Sequence, residues 1–200
     1  MLNVLLLDAN FYYLSGLSGL IYQACASGGD DVCFLLPGDA RSLSRADIIF
    51  RDNRVTVRVA RNRRAGKNAR GTERRERLTL HIPFMTKRDA VQDIALKIGK
   101  ILAIAKADCR QILDREAACG HFGLKKYAQL SATEQDVMIL IGLGYTPADI
   151  SRILNRSQKT ISTHSRNASR KMGASSRAAF WRYASFIASC GHDERHTLCI

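Results

Sequence analysis

The chain has 200 residues, is 46% hydrophobic and carries a formal net charge of +13. That is enough apolar content for real cores, and enough positive charge to favour a polyanionic partner. No stretch approaches a membrane span, and no catalytic motif or phosphate loop is present. Residues 4–7 are too short for a secretion signal, and six cysteines without CxxC spacing read as free thiols of a reducing cytoplasm.

In chain order, residues 2–7 form an apolar run ending at Asp8, as a buried parallel strand would. Asn10 can cap a helix reaching about residue 26, with Leu14, Leu17, Ile21 and Ala24 or Cys25 inward. Residues 32–36 and 47–50 read as further strands. Residues 1–52 hold three basic and six acidic residues. The balance then reverses: residues 54–77 hold ten basic and two acidic. Val55, Val57 and Val59 alternate with polar residues, as do Leu78, Leu80 and Ile82, predicting two half-exposed strands paired as a hairpin. Between them residues 61–77 lack any apolar period. This basic loop is either a solvated loop or an auxiliary phosphate-binding arm carrying Arg61, Arg63, Arg64, Lys67, Arg70, Arg74 and Arg75. Thr86 with Asp89 predicts the cap of a long amphipathic helix bearing Val91, Ile94, Ala95, Ile98, Leu102 and Ala105. Residues 107–129 read as a helical tether, weakest at Gly120 and Gly123.

Three short helices follow. Ser131 and Glu134 make a capping box, opening a helix that buries Val137, Met138, Leu140 and Ile141 and stops at Gly142 to Gly144. Thr146 with Pro147 starts the second, whose inner face is Ile150, Ile153 and Leu154. Asn155 and Arg156 turn the chain, and Ser157 caps a third helix with Ile161, Ala168 and Met172 inward. Lys159, Ser162, Thr163, Arg166 and Arg170 are left outside, with no acid beside them. Three helices with a basic third one are the layout of a helix-turn-helix, which places one helix in the DNA major groove.

Leu130, Ser131, Glu134, Val137, Leu140, Gly144, Ile150, Leu154, Ser157, Thr160, Ile161, His164, Lys171 and Met172 resemble, in register, the signature of the LuxR/FixJ (NarL-type) DNA-binding domain. The resemblance covers residues 130–188. It implies a four-helix, all-α domain whose recognition helix, residues 157–172, reads bases at Ser162, Thr163 and Arg166. It places phosphate or structural contacts at Lys159, Thr160, His164, Arg170 and Lys171; His164, near the inward face, is equally readable as a core histidine. Many relatives carry lysine where Ser162 stands, so readout is expected to lean on Arg166. The fourth helix, residues 176–188, is apolar nearly all round. One face must pack on the domain; the other, through Phe180, Trp181, Ala184 and Phe186, is expected either to pair with another copy or regulator, as the resemblance implies, or to complete the core.

The N-terminal half, residues 1–106, resembles a response-regulator receiver in architecture, as α/β with a strand ending in an acid before a helix. It is read as degenerate: one acid ends the first strand, Asp52 alone could mimic a phosphoacceptor, His81-Ile82-Pro83 stands where Lys-Pro is expected, and residues 52–83 are too few for two βα units. Asp8-Ala9-Asn10-Phe11-Tyr12 followed by Leu14-Ser15-Gly16-Leu17 is similar to the opening of Rcs auxiliary and MatA-type regulators. In the tail, residues 189–200, Cys190, His192, His196 and Cys199 offer either a zinc site or, as preferred here, a disordered end without bound metal.

The expectation is therefore a non-enzymatic, cofactor-free transcriptional regulator that binds double-stranded DNA, works as a homodimer or heterodimer, can meet RNA polymerase, and is not switched by phosphorylation. The alternative is an auxiliary regulator acting through contact with a DNA-binding partner.

Overall fold

A computed structural model describes residues 1–29, 31–39, 41–60, 77–86, 89–194 and 196–200. The basic loop, with Arg61, Arg63, Arg64, Lys67, Arg70, Arg74 and Arg75, lies outside these residues. In order, the elements are β1 (Leu2–Leu7), α1 (Phe11–Ser27), β2 (Val32–Leu35), α2 (Ser42–Arg45), β3 (Ile48–Arg51), β4 (Arg54–Ala60), β5 (Arg77–Pro83) and α3 (Val91–Lys106). Then come α4 (Cys109–Leu113), α5 (Arg115–His121), α6 (Ala132–Gly142), α7 (Pro147–Ile153), α8 (Gln158–Lys171), α9 (Arg177–Ser189) and β6 (His196–Thr197).

The strands form one sheet in the order β2-β1-β3-β4-β5-β6. β1 pairs in parallel with β2 and β3, the opening of a doubly wound sheet. β3 to β5 are antiparallel, with Val55 opposite Ile82 and Val57 opposite Leu80, so the expected hairpin forms, and among the described residues no second pair of βα units follows. β1 is buried on both faces: Val4 joins the main core, while Leu5 packs with Ala46 and Ile49. Asn10 caps α1 by accepting from the Tyr13 amide, and Leu17, Ile21 and Cys25 are buried as their spacing requires.

Several expectations are corrected. The helix start assigned to Thr86 and Asp89 lies instead at Val91, with Ala90 in the cap position and no side-chain cap; Val91 is exposed, while Ile101 and Ile104, unassigned from the sequence, are fully buried. Residues 107–129 are not a tether. Cys109, Ile112, Ala118, Phe122 and Leu124 all enter the main core. The end of the chain packs on the sheet rather than standing apart from it: β6 pairs in parallel with β5, matching Leu80 to His196 and His81 to Thr197, and Cys199 is buried with its backbone bracketed by the Gln129 side chain. The edge of the hairpin sheet is thereby covered by the far end of the chain. Among the described residues no helix is long and apolar enough to cross a membrane, and no three His, Cys, Asp or Glu residues converge on a metal position.

The C-terminal helices have their own cores. Val137, Ile150 and Ile161 form one, and Leu130, Met138, Ala168, Met172, Phe180, Ala184 and Ile187 another. α6 and α9 cross so closely at Gly142 that a Cβ there would collide with the Ala184 carbonyl oxygen. The two halves of the molecule also touch. The Tyr183 hydroxyl on α9 donates to the His81 carbonyl on β5 at 3.1 Å, and the Arg54 guanidinium lies 3.9 Å over the Phe186 ring. The second apolar face of α9 is thus partly covered by the chain's own sheet.

Candidate nucleic-acid interface

Local caps place the three helices. The Glu134 amide donates to Ser131 Oγ at 3.2 Å while Glu134 Oε2 accepts from the Ser131 amide at 2.8 Å, closing the box that starts α6. Thr146 caps α7 with Pro147 at the first position, and Asp149 completes a second capping box not read from the sequence. Gly144, at φ 91°, and Asn155, at φ 49°, make the left-handed turns on either side of α7; asparagine is among the few non-glycine residues that take this conformation cheaply. Ser157 then caps α8, accepting from the Thr160 amide at 3.1 Å. Of the face assigned to α7, Ile150 is fully buried and Leu154 half-buried, but Ile153 is 52% exposed.

α8 buries Ile161 and Ala168 and ends against Met172. Its outward side carries Lys159, Ser162, Thr163, Arg166 and Arg170, all exposed. Side chains are steadied along the helix: Arg166 Nε donates to the Ser162 carbonyl at 3.2 Å, Arg170 to Asn167 Oδ1 at 3.2 Å, and Thr163 Oγ1 to the Lys159 carbonyl at 3.0 Å. Thr160 is half-buried with its hydroxyl 2.8 Å from Ser157 Oγ, and His164 is half-buried. No carboxylate occurs on α8, and its dipole leaves the N-terminal end electropositive, so the whole outer face suits a polyanion.

Lys171 stands apart. Its ammonium donates to Glu134 Oε2 at 2.7 Å and to the Gln129 carbonyl at 2.9 Å. Glu134 is buried, and although burial alone would raise its pKa, the Lys171 partner and the Ser131 amide hold it below the ordinary value. The pair ties the end of α8 to the start of α6, which is a scaffold role.

The four α9 residues fall in different places. Phe180 and Ala184 are in the helical core, Phe186 packs edge-on against His81 with ring centroids 4.9 Å apart, and Trp181 is 52% exposed. Trp181 lines a groove of about 630 Å³ beside α8, shared with Ser162, Arg166 and the exposed Arg177. Arg177 was missed by the sequence reading, because its nearness to α8 depends on how α9 crosses the domain. Arg166 and Arg170 also border a cleft of about 520 Å³ whose opposite wall includes Asn53, Met85 and Asp89.

Asp8 and Asp52 come together at the carboxyl ends of β1 and β3, lining one cleft. Asp52 occupies the first position of the two-residue β3–β4 turn at φ 53° and pairs with Arg54 at 3.2 Å.

The family comparison bears on the C-terminal helices alone. Residues 128–184 match the family model described as bacterial regulatory proteins, luxR family. That segment is a LuxR-type helix-turn-helix domain. No curated protein is similar to the chain at a significant level. A solved structure of the Salmonella typhimurium RcsB response regulator, described under "Conformational dynamism for DNA interaction", is similar at 18% identity over 93% of this chain and 100% of that one, with a TM-score of 0.31.

Proposed function

We propose that this protein is a sequence-specific DNA-binding transcriptional regulator whose α8 enters the major groove. The observation that carries the reading is the acid-free outer face of α8, presented by a capped LuxR-type domain. In this reading Ser162, Thr163 and Arg166 meet base edges, with Arg166 long enough for a bidentate contact to guanine. Lys159, Thr160, His164 and Arg170 meet phosphates. Lys171 belongs to the scaffold, given its bond to buried Glu134. The loop arginines 61, 63, 64, 70, 74 and 75, with Lys67, add sequence-independent affinity by counterion release.

Regulation does not run through an aspartyl phosphate. Phosphoryl transfer needs clustered acids for Mg²⁺ and a lysine over the phosphoryl oxygens. Among the described residues the cleft holding Asp8 and Asp52 is lined by no lysine, and Asp52 sits in a tight turn engaged with Arg54. Pairing with another copy or another regulator uses Trp181, the most exposed of the four assigned α9 residues.

Selection of bound duplexes from a random pool by the purified chain, at physiological salt, tests the reading. Enrichment of one motif is expected, together with no added phosphate after acetyl phosphate and Mg²⁺. Enrichment only when a second regulator is supplied would favour the auxiliary role instead.

A further inference from the structure

A cleft of about 700 Å³ opens where β1 and β3 end, and its far wall is α9. In open α/β sheets the crevice beyond the carboxyl ends of the strands, where strand order reverses, is the place ligands bind. β1 is that reversal point, with β2 on one side and β3 on the other. Domain boundaries are a second preferred location for pockets, and this cleft is also bounded by both halves of the chain.

Its charges are divided between the walls. On the sheet side Asp8 accepts from the nearby Asn10 amide, at 2.8 Å, and has no ion-pair partner among the described residues. On the α9 side Arg182 is exposed and carries neither a hydrogen bond nor an ion pair among the described residues. The two face one space without meeting. Asp52 and Arg54, by contrast, satisfy each other at 3.2 Å. Tyr13 and Thr86 give the sheet wall hydroxyl groups.

We infer that this cleft binds a small zwitterion of the α-amino-acid class, its ammonium on Asp8 and its carboxylate on Arg182. A simple anion would leave Asp8 facing it unfavourably, and a lone cation would leave Arg182 so; a ligand with both charges satisfies each wall. Because the two walls belong to different halves, the ligand fastens α9 to the sheet.

Calorimetric titration and thermal melting of the full chain without DNA, using the twenty common L-amino acids and diglycine as probes, decide the matter. Failure of the DNA reading would leave these readouts untouched. At least one probe should bind and raise the melting temperature. Its N-acetyl and carboxamide forms, each lacking one charge, should bind at least about tenfold more weakly, the loss expected for a charged hydrogen bond. Asp8→Asn and Arg182→Gln, both at exposed positions, should lose affinity by a similar factor. No response from any probe, equal binding of capped and free forms, unchanged affinity in both variants, or binding of inorganic phosphate or Mg²⁺ alone would overturn the inference.

Discussion

The hydroxyl of Tyr183 donates to the main-chain carbonyl of His81 at 3.1 Å, across 102 positions of sequence. The phenol is 3% exposed, and burial pushes its pKa well above the ordinary value, so it remains a donor at every physiological pH. The same carbonyl accepts from the Leu198 amide at 3.0 Å. One contact therefore fastens α9, β5 and the C-terminal tail together. Tyr183→Phe keeps the ring and leaves the carbonyl one partner, so it should cost about 0.5–1.5 kcal/mol in denaturant unfolding. A loss above about 3 kcal/mol would mean that the ring, not the bond, is disturbed.

Lys171 provides a separate test of scaffold against interface. Lys171→Met strips the buried Glu134 carboxylate of its cation. Removing one partner of a buried pair costs roughly 3–5 kcal/mol, and the partial exposure of Lys171 places this case toward the lower end. Chemical unfolding should show that loss, while the salt dependence of DNA binding stays unchanged. Normal stability with a shallower salt slope would assign Lys171 to phosphate.

His81 sets a pH dependence. Burial first, then the nearby Arg54, lower its pKa from 6.5 to about 4, although the Glu194 backbone opposes the shift. His196 and Arg58 add to the lowering, and Thr56 Oγ1 lies 3.1 Å from Nδ1. The folded protein therefore holds this ring neutral where the unfolded chain would protonate it. Its contribution is fully present above about pH 6.5 and is lost as pH falls toward about 4, by up to roughly 1.4 kcal/mol per pH unit. The comparison of stability at pH 7 and 5 should show a smaller decline in His81→Gln than in the parent chain. Parallel declines would mean that His81 is not buried neutral.

How much of this was readable from the residues follows from the range of the forces involved. The caps at Ser131, Thr146 and Ser157 involve neighbours three positions apart, and each of those helices starts where its cap predicts. The alternation in β4 and β5 reports burial of one face and identified the hairpin. What escaped was set by distant partners. Nothing local says that Thr197 lies beside His81, that Phe122 and Leu124 complete the sheet's core, or that Lys171 meets Glu134. The tail was expected to be disordered because its few polar and thiol groups cannot build a core alone; they need only one strand edge to join. Ile153 was misplaced because α7 is two turns long, and so short a helix does not define its inner face by spacing.

The central claim, that α8 reads base sequence, is tested most directly by Arg166→Ala. Binding of the parent and the variant to the selected duplex, to single-base variants of it and to random DNA, all at physiological salt, separates readers from phosphate contacts. Specific binding should weaken by about 1–3 kcal/mol with preference relaxed at one base pair, while random-DNA binding changes little; Lys159→Ala and Arg170→Ala should weaken all duplexes alike. An equal loss on specific and random DNA in Arg166→Ala would contradict the account.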